Sequence, residues 1–67
     1  MNDKVIEILS KSLKKEEVNA KVIGLTDDDY KTIIIEMEKK GLINSVIYSS
    51  NVPFYFEITE KGKSKIS

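Results

Sequence analysis

Residues 24–41, GLTDDDYKTIIIEMEKKG, place Tyr30, Ile33, Ile34 and Met37 at helical spacing. That spacing predicts a helix over about 27–40 with the stripe turned inward. Both ends of it are marked. Thr26 is a strong N-cap, and Asp29 has the reach of its capping-box partner. Asp27, Asp28 and Asp29 put negative charge on the positive end of the helix dipole, and Lys39 and Lys40 put positive charge on the other. Gly41 stands where a left-handed residue closes a helix. Earlier in the chain, Val5, Ile8, Leu9 and Ser12 form an inner stripe, widened by Ile6 and Leu13. It predicts a first helix over about 3–13 that Asn2 or Asp3 can cap. Between the two, Val18 and Val22 lie one turn apart, and Glu16 and Glu17 suit a first turn. A short helix within 15–23 is expected. The alternative is an extended segment over 21–23 that adds to a small sheet. Gly24 ends either.

After Gly41 the period changes. Residues 42–48, LINSVIY, are rich in β-branched and aromatic side chains, and predict a strand over about 43–48. Residues 49–53, SSNVP, form a turn cluster that Pro53 closes. A returning strand over 54–58 would place Phe54, Phe56 and Ile58 on one face and Tyr55 and Glu57 on the other. The pair reads as a hairpin. An isolated hairpin is marginal in water, so this one must lean on the helices. Thr59 then caps a last short helix from Glu60 to about Ile66.

The expected fold is therefore α+β: a single small winged helix-turn-helix domain over residues 1–67, with three helices, a two-stranded wing and a short C-terminal helix. Three segments carry a resemblance to known winged helices: Ile23-Gly24-Leu25-Thr26, Glu38-Lys39-Lys40-Gly41-Leu42-Ile43, and Ile58-Thr59-Glu60-Lys61-Gly62. They are similar to the pattern of MarR-like domains. Together with the wing tip Tyr48-Ser49-Ser50-Asn51-Val52-Pro53 they more closely resemble the small YjcQ-like family of Gram-positive bacteria and their phages. The resemblance spans about 23–63. It implies the fold, and it implies DNA binding only by association.

Composition changes that picture. Eleven acidic and eleven basic residues give a formal net charge of zero, whereas a dedicated nucleic-acid binder normally carries a basic excess. All eleven basic residues are lysine, and arginine and glutamine are absent. Arginine to guanine is the commonest specific base contact, so the means of reading sequence are few. Cysteine and histidine are also absent, which removes disulfides, thiolate metal sites and the usual nucleophile–base pairs. With no Gly-rich phosphate loop either, the chain is expected not to be an enzyme and to hold no cofactor or metal. No secretory or membrane-spanning run stands out, so a cytoplasmic location is expected.

The candidate residues fall into two sets. For nucleic acid they are Lys31, Thr32 and Lys39 on the long helix, and Ser50 and Asn51 at the wing tip. For a partner interface they are Asp28 and Ile35, since Ile35 lines up with Asp28, Thr32 and Lys39 on the face opposite the core stripe. Asp27, Asp28 and Asp29 point 100° apart and cannot converge on one ion. They also oppose ordinary groove docking, because that end of a helix-turn-helix meets the bases. Tyr48 and Tyr55 are expected to be half-buried cross-strand packing, and Lys11, Lys14, Lys15, Lys61, Lys63 and Lys65 to be solvated surface. Two functions follow. One is a nucleic-acid-binding module, a small transcription-related regulator working as a dimer. The other is a non-enzymatic protein-interaction module, such as a phage-type adaptor or inhibitor, with the fold but no DNA face. The expected partners are DNA, weakly bound, and a protein or a second copy, with no membrane and no small-molecule substrate. Replacing the central cap, Thr26→Ala, should cost about 1 kcal/mol; an unchanged urea midpoint would show that the helix starts elsewhere.

Overall fold

A computed structural model of the chain describes residues 3–66. Its elements are α1 (Asp3–Leu13), α2 (Ala20–Ile23), α3 (Asp27–Lys39), β1 (Ile43–Ser49), β2 (Val52–Ile58) and α4 (Glu60–Ile66). The strands form one two-stranded antiparallel sheet. The architecture is α+β. None of these helices is long and apolar enough to cross a membrane. The cap expected at Asn2 lies outside the described residues.

Ile8 and Leu9 of α1, Ala20 and Ile23 of α2, Tyr30, Ile34 and Met37 of α3, and Leu42 and Ile43 are buried together. Val5, Val18, Leu25, Ile33, Val46, Phe56, Ile58 and Ile66 pack against them. The stripes expected on α1 and α3 thus supply most of the core. Leu13, expected to widen the α1 stripe, is exposed. It is the last helical residue, and the chain turns away two residues later.

Three of the helices end in the same way. After α3, Leu42 N–H donates to Met37 O at 2.9 Å and Gly41 N–H to Glu38 O at 3.0 Å. Gly41 has a φ of 76°, which a side chain would disfavour. After α2, Leu25 N–H donates to Ala20 O at 2.8 Å and Gly24 N–H to Lys21 O at 3.2 Å. After α1, Glu16 N–H donates to Lys11 O at 2.9 Å and Lys15 N–H to Ser12 O at 3.1 Å, with Lys15 itself at a φ of 61°. That left-handed lysine puts Glu16 and Glu17 in a loop, not in the first turn of α2. The true cap of α2 is Asn19, whose side-chain oxygen accepts from Val22 N–H at 2.8 Å. The extended alternative for 21–23 is overturned, since those residues are helical. Lys4 Nζ donates to Ile23 O at 2.7 Å and ties the start of α1 to the end of α2. At α3, Thr26 Oγ1 accepts from Asp29 N–H at 3.1 Å, as a cap should.

The hairpin departs most from simple alternation. Its loop is two residues, Ser50 and Asn51, with φ of 52° and 68°. Both being left-handed, they match a tight turn whose twist suits the flanking strands. The returning strand therefore starts at Val52, and Pro53 lies within it opposite Tyr48. Two bulges interrupt the register. Between the pairs Asn44↔Glu57 and Ile47↔Tyr55, Ser45 and Val46 face Phe56 alone; between Ile47↔Tyr55 and Tyr48↔Pro53, Phe54 is the extra residue. Ser45 takes a φ of 55° to make the first. Each bulge resets which side faces inward. Ile43 and Val46 turn in on β1; Pro53, Phe56 and Ile58 turn in on β2. Phe54, expected to share the inner face, is instead exposed.

The end of β2 is locked to the end of α3. Thr59 N–H donates to Leu42 O at 3.1 Å, and Thr59 Oγ1 donates to Gly41 O at 2.6 Å. The same oxygen accepts from Gly62 N–H at 3.0 Å and caps α4. Gly62 is buried against this junction, and a Cβ there would run into the Leu42 carbonyl and crowd Ile58. Gly62→Ala should therefore cost about 1–3 kcal/mol by overpacking, read as a lower urea midpoint with unchanged slope. An unshifted midpoint would mean that α4 can lift off without loss. A second test concerns Tyr30, fully buried in the core. Burial pushes its hydroxyl up to about 12 from an ordinary 10.0. Between those values the folded chain keeps a proton that the unfolded chain releases. The Tyr30 contribution is thus complete below about pH 10 and lost as pH rises toward 12. The loss is on the order of 2–3 kcal/mol. Denaturation at pH 8.5 and pH 11 should show a larger drop for wild type than for Tyr30→Phe, the lysines titrating in both; equal drops would contradict it.

Candidate interaction surface

Along α3, Asp28, Thr32 and Lys39 are exposed and form one line, as their spacing dictates. Thr32 Oγ1 donates to Asp28 O at 3.0 Å, so its hydroxyl is engaged by its own helix. Lys31 and Ile35 lie together on the flank of α3 and are both half-buried. Ile35 is therefore not the protruding residue the spacing suggested, and it does not pack on the main core cluster either. Helix α3 carries five acidic residues against two lysines, with all three first-turn aspartates exposed. Among the described residues, no three His, Cys, Asp or Glu side chains converge as metal ligands.

Ser50 and Asn51 are exposed at the hairpin turn. Among the described residues, no hydrogen bond or ion pair links them to Lys31, Thr32 or Lys39. The candidate nucleic-acid residues thus stand on different elements: Thr32 and Lys39 on the exposed line of α3, Lys31 on its half-buried flank, and Ser50 and Asn51 at the hairpin turn. The two lysine groups lie on or next to α1 and α4, two elements that pack together. Within them, Lys11 lies 3.6 Å from Glu16 and Lys63 lies 3.5 Å from Glu60, so part of that charge is neutralised locally.

The hairpin presents a different chemistry. Phe54 is 60 % exposed, Ile47 48 %, Tyr55 46 % and Tyr48 41 %. Ile47 and Tyr55 are direct cross-strand partners and so share a face. Over residues 43–58 the only charged residue is Glu57. The Tyr55 hydroxyl donates to Glu57 Oε2 at 3.2 Å, and the neighbouring carboxylate raises the tyrosine's pKa. Beside β2 lies an open groove of about 520 Å³, with Lys15, Glu16 and Val18 across from residues 54–58.

Sequence reading places Tyr48 and Tyr55 on the hairpin but as half-buried packing, where both are exposed, and it misses Phe54 and Ile47. The signal for them was weak: strict alternation assigns Phe54 inward, and only the bulge next to Pro53 turns it out. The groove had no signal at all, since its far wall depends on a left-handed lysine. No family model, curated protein or solved structure matches the chain. Geometry and composition are thus what bear on function.

Proposed function

We propose that the chain is a winged-helix domain that works as a non-enzymatic protein-interaction module, docking through its hairpin. One observation carries the reading. Four large apolar side chains, Ile47, Tyr48, Phe54 and Tyr55, stand exposed on a hairpin that holds a single charge. Ile47 and Tyr55 form an exposed cross-strand pair, with Tyr48 and Phe54 exposed on the same hairpin; exposed apolar side chains of this size mark recognition surfaces, and aromatic side chains dominate the energetics of protein contacts. The order of elements and the resemblance to YjcQ-like and MarR-like domains support the winged-helix part.

The second reading is a nucleic-acid-binding regulator. It is favoured by the lysines that α1 and α4 bring to neighbouring elements. It is opposed by the acidic start of α3 and by the absence of any lysine on the hairpin, since duplex binding rests on neutralised phosphates. The interaction reading predicts weak binding of generic duplex DNA at physiological salt, toward ~10⁻⁴ M or beyond, with a shallow salt slope. Fluorescence anisotropy over a salt series measures both. Tight binding with a steep slope would defeat it. In a partner screen, proteins retained by wild type should be lost by the double variant Phe54→Asp, Tyr55→Asp while circular dichroism stays unchanged.

A further inference from the structure

Strand β2 is hydrogen-bonded to β1 on one side, and among the described residues no strand lies on its other side. The 520 Å³ groove is lined by β2 and by no residue of β1. One wall is five consecutive residues of β2, 54–58, a length of about 17 Å in extended chain. The opposite wall is the end of α1 and the loop after it, including Lys15, Glu16 and Val18. We infer that this groove takes one extended peptide segment of a protein partner, added to β2 as a third strand, with a cationic side chain beside Glu57. The inference rests on the protein-interaction reading and names its binding site.

Backbone chemistry supports it on both walls. Exposed strand edges offer N–H and C=O groups that template a further strand. Across the groove, Glu16 and Val18 lie in a loop without regular structure, and Val18 donates no backbone hydrogen bond through its N–H among the described residues. Side chains are in place as well. Phe56 and Ile58 are half-buried at the inner side, while Tyr55 and Glu57 stand outward, so successive peptide residues meet apolar and polar ground in turn. The edge of β1 suits the task less. Ser45 and Val46 bulge it mid-strand, and the groove lies beside β2, whose own bulge at Phe54 leaves a run from Tyr55 to Ile58. Bulges bend an edge and disrupt pairing.

Charge selects the occupant. Glu57 is the one charged residue of the hairpin and forms no ion pair among the described residues; its hydrogen bond comes from the Tyr55 hydroxyl. Glu16, on the far wall, is already 3.6 Å from Lys11. A lysine or arginine placed beside Glu57 would therefore find its complement there, whereas Lys15, the cation on the far wall, suits a neutral or acidic residue opposite itself.

The test uses the whole chain as bait for a phage-displayed random octapeptide library, followed by titration of the selected peptides into ¹⁵N-labelled protein. Enriched peptides are expected to alternate apolar residues and to carry lysine or arginine. Their binding should shift the amide signals of residues 54–58 and 15–18. Affinity should fall about tenfold in Glu57→Lys, and less in Glu57→Gln, which keeps the shape. Proline placed at alternate peptide positions should abolish binding at those whose N–H pairs with β2, a result that does not depend on variant folding. Failure to enrich any peptide overturns the inference. Shifts confined to Ile47, Tyr48 or α3 also overturn it while leaving the interaction reading standing. Self-association seen by sedimentation, and not displaced by the selected peptides, would assign the groove to a second copy. Steep, tight duplex binding would remove the reading beneath it.

Discussion

Thr59 joins three elements through two atoms. Its N–H reaches Leu42 O and its hydroxyl reaches Gly41 O, so the end of β2 is bonded to the residues that close α3. The same hydroxyl oxygen receives Gly62 N–H and starts α4. Because Gly62 has no side chain, α4 can lie against the Leu42 carbonyl at all. A two-stranded hairpin has little stability of its own. Held at this base, with Val46, Phe56 and Ile58 on the core, it becomes a fixed platform. The helix that closes the chain also packs on α1, so the junction links the two ends of the described residues as well.

From this junction follows a division of labour by surface. Helix α3 gives its apolar stripe to the core and shows water an acidic face. The lysines of α1 and α4 lie on another pair of elements. The hairpin, bonded to α3 at its base and with Pro53 buried near its turn, carries the apolar side chains that the core does not use. Such side chains are commonly covered by a partner, and a net-neutral chain raises no long-range barrier to another protein's approach. The groove beside β2 and the outer face of the hairpin are adjacent parts of that surface, both including Tyr55 and Phe54.

Where local chemistry decided the structure, the sequence disclosed it. The ends of α1 and α3, the Thr26 cap, the left-handed Gly41 and the extent of α4 all follow from periodicity and capping residues within a few positions. The middle of the chain was harder because Lys15 occupies a left-handed position that favours glycine, and nothing in its neighbours announces this. Asn19, the cap of α2, is passed over when Glu16 and Glu17 are placed in a first turn. In the hairpin, two bulges shift parity in opposite strands. A period-two reading therefore failed for Phe54 and succeeded for Phe56 and Ile58. The same shift hid the exposed cluster, and with it the candidate surface. Ile35 failed for a different reason: helical angle places it beside Lys31, and half-burial of that flank is a tertiary matter.

The burial of Tyr30 has an optical consequence. With no tryptophan, the near-ultraviolet spectrum belongs to three tyrosines and two phenylalanines. Tyr30 is locked in the core, while Tyr48 and Tyr55 stand half-open on the hairpin. Near-ultraviolet dichroism, which needs a fixed asymmetric surrounding, will thus be weighted toward Tyr30 and follow the packing of the core. Quenching by a soluble collider will be weighted toward Tyr48 and Tyr55 and follow the hairpin. The unlabelled chain therefore reports separately on its interior and on the surface offered to a partner.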